Sequence, residues 1–126
     1  MILLGELDDP SVLPDECVIS VVTLAELSVG PHVAATAHER SARQAHLQQA
    51  EADFEALAFD AAAARAFGRV AASLRQAGRK PAARAYDALI AASAIAHDLP
   101  LYTCKPADFT GIDELVVRAV ANPRRR

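Results

Sequence analysis

The sequence predicts an α/β protein with a mostly parallel sheet, and three observations carry that expectation. Short apolar or β-branched runs recur along the chain, helical stretches too long for hairpins separate them, and Ala, Leu and Val dominate a hydrophobic fraction of 52%. Strands alternating with long crossovers pair in parallel, and such sheets carry their sites beyond the carboxyl ends of the strands. A length of 126 residues suits one compact domain, 1–126, ending in a basic tail at 122–126 expected to be disordered. The absence of Trp, with two Tyr and four Phe, favours close helix packing over aromatic platforms for exposed bases.

Pro10, Pro14, Gly30-Pro31, Gly78 to Pro81, Pro100 and Pro106 punctuate the chain. Residues Met1 to Leu7 space Ile2, Leu3, Leu4 and Leu7 as one helix face, so a first helix is expected there with no strand before it. Cys17 to Val22 reads as a strand buried on both faces, and Thr23 as the start of the next helix. A helix is expected from about Val33 to Glu55 and a short strand over Ala56 to Phe59. Asp60 suits the N-cap of a helix over Ala61 to Ala77, stopped by Gly78. The small, apolar stretch Ala82 to His97 predicts a helix packed on several sides. Leu99 to Thr103 reads as a strand, Pro106 to Phe109 as a tight turn or short helix, and Glu114 to Val120 as the last strand.

No apolar run approaches the roughly 18 residues of a membrane span, and MILLGELDDP has no secretory h-region, so a cytoplasmic protein without a membrane partner is expected. Cys17 and Cys104 lack metal-ligand spacing and are read as reduced thiols. The formal net charge of -3 opposes nucleic-acid binding in general, but its distribution is uneven. Arg75, Arg79, Lys80, Arg84 and Lys105 fall together, and Arg124 to Arg126 end the chain. Solvated helix ends would produce the same pattern.

Three acids fall near the expected functional edge. Glu26 follows the Cys17 to Val22 strand, where Thr23-Leu24-Ala25-Glu26 also reads as a capping box. Asp87 lies in the middle of the Ala82 to His97 stretch, among residues with no polar company except Arg84 three positions earlier. An isolated buried carboxylate there needs a partner, a metal or a proton. Asp108 sits in Lys105-Pro106-Ala107-Asp108-Phe109, where turn chemistry alone favours Asp. Converging carboxylates offer the oxygen ligands that a hard divalent cation takes.

Three ordered blocks carry a further likeness: Ser20-Val21-Val22-Thr23-Leu24-Ala25-Glu26-Leu27, Tyr86-Asp87-Ala88-Leu89-Ile90-Ala91-Ala92-Ser93-Ala94, and Leu99-Pro100-Leu101-Tyr102-Thr103-Cys104-Lys105-Pro106-Ala107-Asp108-Phe109. Together with Phe59 to Phe67, their order and spacing resemble the PIN-domain family, specifically the VapC-like toxins of toxin–antitoxin systems. The resemblance implies a three-layer α/β/α domain that hydrolyses RNA with Mg²⁺ or Mn²⁺. Glu26, Asp87 and Asp108 match its acidic, metal-holding and catalytic positions, and Thr103 a supporting one. Arg84 and Lys105 are candidate RNA contacts, and a small antitoxin and a second copy of the chain are the implied partners. Two departures stand out. The family begins with a strand ending in Asp followed by Thr or Ser, and both strand and Asp are expected to be absent here, since Glu6, Asp8 and Asp9 lie elsewhere. Lys105 stands where relatives carry Asn or Asp. One expectation is a ribonuclease whose missing strand is encoded immediately upstream; the alternative is a relic that binds antitoxin or RNA without cutting.

Overall fold

The computed structural model describes residues 2–4 and 17–120. Its sheet is wholly parallel and runs β3-β2-β1-β4-β5, with β1 at Ile2–Leu4, β2 at Cys17–Ser20, β3 at Glu55–Leu57, β4 at Leu101–Thr103 and β5 at Val117–Ala119. Four helices and two 3-10 turns matter to the site: α1 (Val21–Val29), α2 (Ala37–Asp53), α3 (Ala61–Gln76), α4 (Ala85–Ala96) and the turns Pro81–Arg84 and Pro106–Phe109.

The α/β expectation stands, but the opening segment is corrected. Ile2–Leu4 is the central strand and not part of a helix, pairing with Cys17 to Ile19 on one side and with Leu101 and Tyr102 on the other. The position expected to lack its strand is therefore filled. A run of three apolar residues fits a strand and a helix face equally well. What decides between them is the gap between β2 and β4, whose facing N–H and C=O groups need partners. Residues Gly5 to Glu16, with Glu6, Asp8 and Asp9, and the tail at 121–126 lie outside the described residues.

Alternation along the strands builds the layers. Val18 and Leu101 join one core with Ala66, Val70 and Leu74 of α3 and Ala88, Ile90, Ala91, Ala92 and Ala94 of α4. Ile19 packs in a second cluster with Ala50 of α2, Leu24 and Leu27 of α1, and Tyr102. Successive strand side chains point to opposite faces, so neighbouring residues of β2 and β4 enter different layers. The result is the expected α/β/α stack.

Local chemistry sets the boundaries. Ser20, wholly buried, caps α1 by accepting from the Val22 N–H at 3.0 Å, so the helix starts at Val21 and β2 ends two residues before the expected Val22. Asp60 caps α3 as anticipated, accepting from the Ala63 N–H at 2.9 Å. Gly78, at φ +77°, ends that helix: its N–H reaches the Arg75 carbonyl at 3.0 Å and the Arg79 N–H reaches that of Leu74 at 2.8 Å. These are the paired bonds of a Schellman stop. Asp98, at φ 54°, closes α4 with the same pattern toward Ile95 and Ala94.

Candidate functional site

The carboxyl ends of β2 and β4 feed the segments that carry Glu26 and Asp108, whereas Asp87 is carried by α4, which follows α3 and the Pro81–Arg84 turn. Thr103, 1% exposed at the end of β4, accepts from the Lys105 N–H at 3.0 Å through its hydroxyl. This side-chain turn bends the chain into Pro106–Phe109, where the Asp108 N–H bonds the Lys105 carbonyl at 3.0 Å and Phe109 is buried in the core. Thr103 thus shapes the turn that holds Asp108. Lys105 itself is exposed.

Asp87 is placed differently from the expectation. The stretch from Pro81 to Arg84 is a 3-10 turn, α4 begins at Ala85, and Asp87 falls in its first turn rather than mid-helix. A carboxylate there is favoured by the unsatisfied N–H groups and positive end of the helix. Its side chain is also partly open to solvent, so the supposed cost of an isolated buried acid does not arise.

Arg84 joins the two aspartates. Its Nη1 lies 2.8 Å from Asp108 Oδ1 and 3.7 Å from Asp87 Oδ2. The first is a charge-assisted hydrogen bond, the second a looser ion pair across one helical step. The surrounding cleft is lined by Leu74, Ala88 and Ile112 beneath and by Arg79 and Lys80 beside Arg84. Arg79 is held in place by donating to the Thr110 carbonyl at 2.8 Å and to the Thr110 hydroxyl. Of the basic residues grouped in the sequence, the fold brings Arg79, Lys80 and Arg84 to this cleft and leaves Arg75 in the last turn of α3.

Glu26 lies in the second turn of α1 and is exposed. The capping-box reading of Thr23 and Glu26 is overturned, because Ser20 holds the cap and Thr23 is inside the helix, 4% exposed, with its hydroxyl unpartnered. Sequence reasoning missed Ser20 as the cap, although Ser is among the strongest N-cap residues. It also missed Arg79 as the anchor of the Asp108 loop, a contact between residues 31 positions apart that no local pattern signals.

A divalent metal can be tested against this arrangement. Carboxylate oxygens are the right donors for Mg²⁺ or Mn²⁺. The arrangement does not suit the ion: among the described residues no group of three or more His, Cys, Asp or Glu side chains is placed to hold one, and the Arg84 guanidinium already stands against both aspartates, offsetting one of their two charges. As it stands, the cleft is a carboxylate–guanidinium centre with a basic rim.

Fold and sequence agree on the class of protein. The chain matches the PIN domain over residues 2–110 and belongs to that family. Within it the chain is VapC-like: it is 41% identical to Ribonuclease VapC5 of Mycobacterium tuberculosis over 105 residues, covering 83% of this chain and 75% of that one. The crystal structure of VapBC-5 from Mycobacterium tuberculosis, a member of the VapBC family of toxin–antitoxin systems, matches with a TM-score of 0.80 and 35% identity over 94% of this chain and 98% of that one. VapBC2 of Rickettsia felis, solved bound to a DNA fragment from its promoter, matches with a TM-score of 0.71 and 27% identity over 82% of this chain and 74% of that one. Among the described residues, no helix is long and apolar enough to cross a membrane.

Proposed function

We propose that this protein is the toxin of a VapBC-like toxin–antitoxin pair, a metal-dependent endoribonuclease that hydrolyses RNA phosphodiester bonds in the cytoplasm. The observation that carries the reading is the convergence of Asp87, at the start of α4, and Asp108, in the turn after β4, on Arg84, in a chain 41% identical to a VapC ribonuclease. In this reading Asp87, Asp108 and Glu26 are the acids of the site and Thr103 supports Asp108. Arg84 and Lys105 contact RNA phosphates, with Arg79 and Lys80 on the same rim. Arginine suits that role because its planar fork bonds phosphate oxygens two at a time. Mg²⁺ or Mn²⁺ belongs to the proposal as cofactor, and a small antitoxin and a second copy of the chain as partners. Toxin–antitoxin complexes among the solved relatives support the antitoxin.

The test is cleavage of total RNA by the purified protein with Mg²⁺ or Mn²⁺, against the same reaction in chelator and against Asp87→Asn. Removing a charge from the reacting centre lowers cleavage at least tenfold if it costs more than about 1.4 kcal/mol of barrier. Cleavage retained in Asp87→Asn, in a protein whose circular dichroism is unchanged, refutes the site assignment.

A second reading has its own observation. The closed Arg84 contacts, together with the lack of a three-acid group among the described residues, favour a relic that binds antitoxin or RNA without cutting. RNA binding with no cleavage under any divalent metal would decide for it.

A further inference from the structure

We propose that Tyr86 is a stacking platform for an unpaired RNA base and that Arg79 and Lys80 hold the neighbouring phosphates, so that this face selects single-stranded over duplex RNA. The inference rests on the nuclease reading for its substrate class. Tyr86 stands in the first turn of α4, one residue before Asp87, and is 54% exposed. The chain has no Trp, and its other Tyr and all four Phe are buried or half-buried. A lone exposed aromatic is ordinary on a protein surface. What sets this one apart is its place directly after the turn that gathers the cations, in a chain with few aromatic rings.

The charge of the setting suits an anion. Arg79, Lys80 and Arg84 line the cleft against Asp87 and Asp108, which leaves positive charge in excess there although the chain as a whole carries a net charge of -3. Arg84 is engaged by the two carboxylates. Arg79 is instead held by the Thr110 carbonyl and hydroxyl, neutral groups that fix its position without offsetting its charge, and Lys80 is exposed next to it. A 3-10 turn rises about 2 Å per residue, so Pro81–Arg84 keeps the backbones of Lys80 and Tyr86 within about 15 Å of each other. Stacked nucleotides advance about 3.4 Å each, so a few of them span that distance. Proteins that hold single strands combine these two elements, a cationic track for the phosphates and an aromatic face for the bases. A ring stacks only on a base freed from its partner, which is what makes Tyr86 selective for unpaired RNA.

The experiment measures binding of a fluorescein-labelled single-stranded RNA of about eight nucleotides to the whole chain by anisotropy, in chelator so that nothing is cleaved, beside a duplex of the same sequence. Losing one stacked base should weaken single-strand binding about tenfold in Tyr86→Ala, while Tyr86→Phe stays near the parent and duplex binding does not change. Salt dependence separates stacking from charge. The slope of log affinity against log salt should shrink by about 0.7 in Lys80→Gln and stay at the parent's value in Tyr86→Ala. Single-strand binding by a folded Tyr86→Ala protein equal to the parent's, an equal loss on the duplex, an unchanged slope in Lys80→Gln, or no RNA bound by the parent overturns the proposal. Should Tyr86→Ala fail to fold, Tyr102→Phe leaves Tyr86 as the one Tyr of a chain without Trp, so that its fluorescence reports directly. Quenching of that emission by unlabelled single-stranded RNA supports the stack, and unchanged emission overturns it. Failure here is distinct from failure of the nuclease reading. Metal-dependent RNA cleavage with unaltered binding in Tyr86→Ala removes only the platform, whereas Tyr86-dependent binding without cleavage under any divalent metal removes only the nuclease.

Discussion

Replacing Gly111 by Ala should destabilise the protein far more than a surface loop substitution normally does. Gly111 follows the turn that carries Asp108 and adopts φ +83°, a conformation in which a Cβ approaches the following carbonyl at a cost of about 1–2 kcal/mol. A Cβ there would also lie 2.9 Å from Ala77 Cβ and 3.4 Å from Arg79 Cδ. Carbon atoms rest at roughly 3.5–4.0 Å, and forcing extra volume into a packed contact costs about 1–3 kcal/mol. The combined expectation is a loss of about 2–5 kcal/mol. Two other glycines separate the contributions. Gly78 has φ +77° with nothing within 4 Å of an added Cβ, so Gly78→Ala should lose only the conformational part, about 1–2 kcal/mol. Gly68 lies within α3, also with open space, and Gly68→Ala should gain about 1 kcal/mol from helix propensity. Urea unfolding followed by far-ultraviolet circular dichroism measures all three as shifts in midpoint at constant slope. A Gly111→Ala protein no less stable than Gly78→Ala would refute the claim that α3's end and the Asp108 loop are pressed together at this point.

Thr23 and Asp98 provide two further tests. The Thr23 hydroxyl is buried without a partner, and Val keeps its shape while removing the unsatisfied group, so Thr23→Val should raise stability by about 1 kcal/mol; a lower melting temperature would contradict this. Asp98 ends α4 at φ 54°, where glycine has no Cβ penalty, so Asp98→Gly should also stabilise by about 1 kcal/mol, measured by thermal unfolding, and a loss would show that the Asp side chain is needed there.

Much of the architecture was readable residue by residue. Asp60 and Gly78 bracket α3 as their chemistry requires, and the small residues from Ala88 to Ala94 do enclose α4 within the core. Ser20 and Thr23 show where local reading goes astray, since both can cap and only the burial of Ser20 at the strand's end selects it. Asp87 is instructive in the opposite sense. Its apolar neighbours made it look like a carboxylate stranded within a helix, and a 3-10 turn at Pro81–Arg84 moves the helix start so that Asp87 lies in the first turn.

By itself the sequence determined most of the alternation of strands and helices and the parallel class of the sheet, because burial period, caps and breakers act over a few neighbouring residues. Only the tertiary structure decided that Ile2–Leu4 is the central strand and that Arg84 sits between Asp87 and Asp108. The first depends on unpaired backbone groups of β2 and β4, which lie far apart along the chain. The second depends on a turn and a helix start brought together by the packing beneath them, a distance that no spacing along the chain encodes.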